Sequence, residues 1–322
     1  MRTVCTIGMF DGVHMGHRFL LQQVKDEARK RGLRSVAVTF RAHPSQILRQ
    51  GPSEQLLSLP EEKEALLKAA GIDEVTLLDF TPELAQMTAL EFMRTVLKER
   101  LKAETLVIGY DNRFGHDGKS FDDYVRYGKE LGMEVVSCAE CVTAEHVSST
   151  TIRQALLQGD VARANTLLGR PYTLQGTVVS GFQNGRKLGY PTANLQVEQD
   201  KLIPANGAYL VRVEPSTSNV QELPTQGLAD SPSTATPHTW AGQLPWPGML
   251  NIGTRPTLHN GQQRSIEVHL FDFHGNLYGQ SLRVELLAHL RGEKEFDSVE
   301  ALQQQLAADK AACLQLLQHS QI

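Results

Sequence analysis

Short apolar runs and longer segments of helical spacing alternate through the first half of the chain. Val4–Gly8, Ser35–Phe40, Val75–Asp79, Thr105–Gly109 and Glu134–Ser137 read as buried strands. Between them, Gly16–Lys30, Glu61–Ala70, Pro82–Leu101 and Phe121–Leu131 carry apolar residues at helical intervals. Strand and helix repeated in this order predict a parallel sheet with helices on both faces. Ligands of such sheets bind beyond the carboxyl ends of the strands, so those ends are where chemistry is expected.

After Arg170-Pro171 the pattern changes. Strand-like runs at Leu174–Ser180, Ala208–Val213, Gly248–Ile252, Ile266–Phe273 and Ser281–Leu287 are separated by turn pairs such as Asn184-Gly185, Asn260-Gly261 and Gly275-Asn276. Short strands joined in this way predict an antiparallel sheet or barrel. Ser298–Leu317 then returns to helical spacing. Two domains follow, 1–169 and 170–322. Glu214–Pro247 fits neither pattern, since it holds six of the 14 prolines, many Ser and Thr, and almost no periodicity. Such a stretch buries too little apolar surface to offset its ordering entropy, so an exposed, mobile insertion is expected at about 214–247. Trp240 and Trp246 are placed to pin its end against the barrel.

Length agrees with two domains, at 322 residues. Hydrophobic residues at 41% and charged residues at 21% match a globular protein and exclude a disordered one. A net charge of −4 gives no electrostatic footprint for nucleic acid or an anionic membrane. No apolar run approaches the ~20 residues that span a bilayer, and no leader pattern follows Met1. A cytoplasmic enzyme is expected. Cys138 and Cys141 form a lone C-x-x-C, with no second pair to complete a zinc site, and read as structural or incidental.

The first candidate for chemistry is Gly8-Met9-Phe10-Asp11-Gly12-Val13-His14-Met15-Gly16-His17, which follows the first strand and opens the first helix. Glycines let the backbone turn sharply, and a helix N-terminus offers unpaired N–H groups and partial positive charge to a phosphate. His14 and His17, three apart, lie on one side of the first turn and can stabilise charge during nucleotidyl transfer. Two histidines that merely cap a helix start are the plainer reading; the strand, glycine turn and helix together favour phosphate.

The chain has no G-x-x-x-x-G-K-[ST], which excludes a Walker-type kinase. Its second half offers Gly176–Gly181 and then Gly185-Arg186-Lys187-Leu188-Gly189-Tyr190-Pro191-Thr192-Ala193-Asn194. Glycines there can bring amides close to phosphates, and Thr192 and Asn194 are neutral oxygen ligands suited to Mg²⁺.

These runs, together with Thr39–Pro44, Gly109–Gly115 and Val147–Arg153, resemble the bacterial bifunctional riboflavin kinase/FAD synthetases. Gly8–His17 is similar to the H-x-G-H nucleotidyltransferase signature, and Gly185–Asn194 to the G-R-x-L-G-[FY]-P-T-A-N of riboflavin kinases. The resemblance implies an α/β Rossmann-like nucleotidyltransferase domain followed by an antiparallel β-barrel kinase domain with a C-terminal helix. It implies phosphorylation of riboflavin to FMN, and adenylylation of FMN to FAD with release of pyrophosphate.

By that resemblance, Gly8, Phe10, Asp11, Gly12, His14, His17, Ser148, Ser149, Thr150 and Arg153 hold ATP at the first site. His17 with His14 stabilises charge there, and His43, Asp111, Asn112 and Arg113 hold the flavin. At the kinase site, Gly176, Gly181, Gly185, Arg186, Gly189 and Pro191 bind ATP, Thr192 and Asn194 bind Mg²⁺, and Glu267 is the catalytic base. Taken alone, Ser148–Thr150 reads first as a helix cap, Asp111-Asn112 as a turn, and Glu267 as a solvated strand residue; the resemblance changes that weight. Partners are then the small molecules ATP, riboflavin and FMN, with no nucleic acid or membrane, and with room for weak self-association. Two other readings stay open: a kinase with a degenerate first domain, and a flavin- or nucleotide-binding regulator without turnover.

Overall fold

The computed structural model describes residues 2–42, 55–109, 112–138, 146–181, 185, 188–216, 244–256 and 262–319. By its internal contacts the chain divides into two units. The first is Met1–Thr151 with Asp200–Leu202, and the second is Ile152–Gln199 with Ile203–Ile322.

Five strands form the sheet of the first unit: β1 (Thr3–Ile7), β2 (Arg34–Phe40), β3 (Glu74–Leu78), β4 (Ala103–Ile108) and β5 (Glu134–Ser137). All neighbours are parallel, in the order β3-β2-β1-β4-β5. Chain order reverses at β1, and this switch point leaves a crevice at the strands' carboxyl ends. The inner strands read as continuous apolar runs because both sheet faces are covered. On one face Val4, Phe10, Leu21, Val24 and Leu67 pack together; on the other, Ile7, Val38, Met93, Leu106 and Tyr124 do.

Helices α1 (Met15–Arg31) and α2 (Pro60–Ala69) follow β1 and β2. The single helix expected over Pro82–Leu101 is broken into α3 (Pro82–Gln86), α4 (Ala89–Phe92) and a wider π-helical stretch, Met93–Arg100. The break has a local cause. Thr88 caps α4 in a reciprocal pair with Glu91, its N–H donating to Glu91 Oε2 at 2.8 Å, and the extended Met87 precedes it. Next come α5 (Phe121–Leu131), α6 (Ser149–Leu157) and α7 (Val161–Leu168).

The second unit is a closed antiparallel barrel. Its strands are β6 (Tyr172–Val179), β7 (Ala193–Val197), β8 (Gly207–Pro215), β9 (Trp246–Pro256), β10 (Gln262–Leu270) and β11 (Ser281–Gly292), in the order β10-β7-β6-β11-β8-β9. The helix α8 (Val299–His319) buries Cys313 with Leu210, Met249 and Phe271.

Two sequence expectations change here. The strand β7 has no counterpart among the expected strands; its first two residues, Ala193 and Asn194, end the Gly185–Asn194 signature. The insertion expected from Glu214 to Pro247 has ordered ends: Glu214 lies opposite Arg283 in β11, and Pro247 opposite Arg212 in β8. Trp246 is a strand residue packed edge-on against Phe273 at 5.0 Å; Trp240 lies outside the described residues. By internal contacts the chain divides at Thr151/Ile152, and α7 packs on the barrel, where Asn165 Nδ2 donates to Leu286 O at 2.9 Å and Asn165 Oδ1 accepts from Tyr172 N.

Candidate active sites

The first site begins where β1 ends, at the sheet's switch point. Gly8 continues the ladder, its N–H donating to Val38 O at 3.1 Å. The chain then turns through Phe10, Gly12 and Val13, at φ of 49°, 79° and 38°. A positive φ at a β-branched residue such as Val13 is unfavourable by about 1–3 kcal/mol and persists only where neighbours enforce it. The enforcing contacts are numerous. Asp11, buried, accepts from Leu57 N at 3.1 Å and Ser58 N at 3.0 Å, while Gly12 N donates to Ser58 Oγ at 2.9 Å. Ser149 Oγ donates to Asp11 O at 2.9 Å. Asp11 and Gly12 thus act first on the protein itself.

This turn delivers His14 to the N-cap of α1, where its Nδ1 accepts from His17 N at 3.3 Å. The imidazoles of His14 and His17 stack at 3.6 Å, 17° apart, with Phe10 edge-on to His17. Gly16 suits that packing, because a Cβ there would stand 3.3 Å from the His14 ring, a tight contact. Burial chiefly, then His14 and Lys63, hold the His17 ring well below the usual histidine range, so it is neutral. Its Nδ1 is buried and has no hydrogen-bond partner among the described residues.

The remaining residues predicted for this site lie on other segments. Ser148 Oγ caps α6 by accepting from Thr151 N at 3.2 Å, Thr150 is exposed, and Arg153 is buried one turn further along. The side-chain amide of Asn112 donates to Ile7 O, fastening the end of β1, and Arg113 is exposed. His43, Asp111 and Arg186 lie outside the described residues.

Sequence reasoning missed the segment that supports the histidine loop. Leu56–Lys63 presents Ser58 and the Leu57 and Ser58 amides to Asp11, and Lys63 Nζ donates to Met9 O and Phe40 O. This segment is held in turn by Asp200–Leu202. Leu56 N donates to Asp200 O at 2.7 Å, and buried Lys201 pairs with Glu62 at 2.6 Å while donating to Leu57 O at 2.8 Å. Neither Lys63, between Glu62 and Glu64, nor Lys201, after Asp200, looks buried in the sequence. They carry no motif.

The second site lies in the barrel. Glu267 on β10 stands opposite Asn194 of β7 on one side and Asn251 of β9 on the other. It is half-buried, and its Oε2 accepts from Thr192 Oγ1 at 3.2 Å. Thr192 lines two cavities. One of about 250 Å³ includes Tyr190, Asn251, Glu267, His269 and Phe296; the other, of about 360 Å³, includes Val178, Pro191, Phe273, Leu277 and Tyr278.

Of the predicted ATP residues, Gly176 lies within β6 and Gly181 just beyond it. A Cβ at Gly181 would fall 2.2 Å from the Asn194 amide, so the glycine admits that side chain. Gly185 O accepts from Leu188 N and Tyr190 N, closing the turn that contains Gly189. The sequence also left His269 unassigned. Its Nδ1–H donates to Pro191 O at 2.9 Å and fixes the residue before Thr192, while burial keeps the ring below the ordinary histidine range.

Known proteins share both halves of this arrangement. The FAD synthetase family matches residues 1–151, and the riboflavin kinase family matches residues 168–317. The bifunctional riboflavin kinase/FMN adenylyltransferase of Escherichia coli (strain K12) is 36% identical over 310 residues, 95% of this chain and 90% of that protein. This chain belongs to the bifunctional riboflavin kinase/FMN adenylyltransferase family. A member from Listeria monocytogenes is 31% identical over 309 residues, with 95% and 90% coverage. The crystal structure of a protein described as a macrolide-efflux protein of Streptococcus pneumoniae is also similar. It has a TM-score of 0.82 and 33% identity over 97% of this chain and 93% of that one. Among the described residues here, no helix is long and apolar enough to cross a membrane. A FAD synthetase domain and a riboflavin kinase domain therefore lie in one chain, which carries both activities of flavin cofactor synthesis.

Proposed function

We propose that FMN adenylylation takes place at the Gly8–His17 loop and riboflavin phosphorylation at Glu267, as two separate sites. The observation that carries the first assignment is the stacked His14–His17 pair at the N-terminus of α1, on the switch point of the sheet. The FMN phosphate is ionised near neutrality, so its oxygen attacks the α-phosphorus of ATP without a base, and the α–β P–O bond breaks to release pyrophosphate. His17, with His14, stabilises charge on that leaving group. Ser148, Ser149, Thr150 and Arg153 are assigned to the triphosphate, and His43, Asp111, Asn112 and Arg113 to the flavin.

In the barrel, the Glu267–Thr192 pair stands where two cavities share a wall residue. Riboflavin occupies the cavity with Glu267, Tyr190 and Phe296, and ATP the one with Pro191 and Tyr278. Glu267 takes the proton of the primary hydroxyl as that oxygen attacks the γ-phosphorus and ADP leaves. Thr192 Oγ1 and the Asn194 side-chain oxygen, beside a carboxylate, form a hard oxygen set that fits Mg²⁺ sharing its remaining positions with water and phosphate. When bound, the ion would neutralise charge between the phosphates. Gly176, Gly181, Gly185, Arg186 and Gly189 are assigned to the nucleotide. Action in the cytoplasm, on small molecules alone, is part of this reading.

Purified chain supplied with riboflavin, ATP and Mg²⁺ is expected to form FMN and then FAD. Glu267→Gln should abolish FMN formation and leave FAD synthesis from added FMN intact, and His17→Ala should do the reverse. Equal loss of both products in either variant would rule out two separate sites.

A further inference from the structure

Lys63 stands in the first turn of α2, outside every motif, and its side chain is only 2% exposed. A buried ammonium is unfavourable unless it is partnered. The partners of Lys63 are two main-chain carbonyls at the carboxyl ends of adjacent parallel strands. Phe40 O, at 2.6 Å, closes β2, and Met9 O, at 3.2 Å, lies two residues beyond β1. Met9 also accepts from Thr39 Oγ1 at 3.0 Å and immediately precedes the left-handed Phe10. The ammonium therefore grips the loop at the residue before its strained turn begins.

Besides Thr39 at the same Met9 carbonyl, the other side-chain holds on this loop act further along, through Ser58 at Gly12, the Leu57 and Ser58 amides at Asp11, and Ser149 at Asp11 O. A loop with positive φ at Phe10 and Val13 needs such restraint at both ends to keep one geometry. We propose that Lys63 is a positioning residue for FMN adenylylation: it fixes the Met9 carbonyl and so sets the turn that stacks His14 on His17. Lys63 acts through the loop and touches no substrate. Its charge also contributes, after burial and His14, to keeping His17 neutral, and the facing Asp11 carboxylate opposes the loss of its own proton.

This inference rests on the placement of FAD synthesis at the histidine loop, and the test separates the two. Full-length chain, Lys63→Met and His17→Ala are compared for FAD formation from FMN, for riboflavin phosphorylation, and for the histidine ring signals by NMR. In Lys63→Met, kcat for FAD formation should fall about 10- to 100-fold, the scale of a displaced catalytic group. Riboflavin phosphorylation should hold, and the stacked His14 and His17 signals should move. FAD formation within about twofold of the parent overturns the proposal, as does a loss with unmoved histidine signals or an equal loss of riboflavin phosphorylation. If His17→Ala keeps FAD synthesis, the site assignment itself fails. Should Lys63→Met not fold, Lys63→Gln, which keeps a donor and removes the charge, is read by the same criteria.

Discussion

At the scale of single residues, burial shifts the proton affinity of two groups at the first site, His17 and Lys63. His17 is neutral because it is buried, stacked on His14 and near Lys63, and protonating it in the folded chain is unfavourable. The unfolded chain, whose histidines titrate near 6.5, binds more protons below that pH, so this group makes stability fall as pH drops from about 6.5. Lys63 has the same sign in a different window. Burial draws its ammonium down to about 8. Between about 8 and 10.5 the unfolded chain holds the extra proton, and stability on this account rises with pH by roughly 3 kcal/mol. Denaturant unfolding of the first unit at pH 5.5 and 7.5 should therefore show an acid loss that His17→Gln reduces. An unchanged difference between the two pH values would refute a buried neutral His17.

Elements, rather than residues, explain the kinase site. The run Pro191-Thr192-Ala193-Asn194 ends the Gly185–Asn194 signature, and Ala193–Val197 is a strand paired with both β6 and β10. That pairing sets Asn194 opposite Glu267, and the hydrogen bond from His269 to Pro191 O holds the approach to it. Gly181 is the complement, since it leaves space for the Asn194 amide where any side chain would collide. Gly181→Ala is accordingly expected to displace Asn194, raise the Mg²⁺ and ATP requirement of riboflavin phosphorylation, and lower its rate about 10-fold or more. FAD synthesis from FMN should continue. Steady-state titration of Mg²⁺-ATP in both reactions distinguishes this from general damage, which would lower both.

For the whole molecule, the first unit is not a continuous piece of chain. Asp200–Leu202 completes it through a parallel bridge to Leu56 and the buried Lys201–Glu62 pair. Removing one partner of a buried pair leaves the other charge uncompensated, at about 3–5 kcal/mol, whereas removing both is far milder. Lys201→Met should thus destabilise the first unit by about that much and impair FAD formation, with Glu62→Gln/Lys201→Met recovering most of the loss. Denaturant unfolding and FAD synthesis of the single and double variants test this; a double variant as impaired as Lys201→Met would contradict it.

What the sequence determined by itself were the periodic and the local features. Five strands with intervening helices, a β-rich second half, the histidine turn and the Gly185–Asn194 run all follow from residues adjacent in the chain, although the edge strand β5 is not buried as its sequence suggests. Periodicity and turn chemistry are short-range properties, so they are legible without coordinates. Tertiary structure alone decided what meets across distance. It placed Ser58, Lys63 and Lys201 beneath the histidine loop, made a strand of Ala193–Val197, and aimed His269 at Pro191. It also ran β8 and β9 into the ends of the proline-rich stretch, where ladder hydrogen bonds and the burial of Trp246 outweigh composition. A buried lysine carries no periodic signature, because its meaning lies in the carbonyls and carboxylates that the fold brings within about 3 Å of its ammonium.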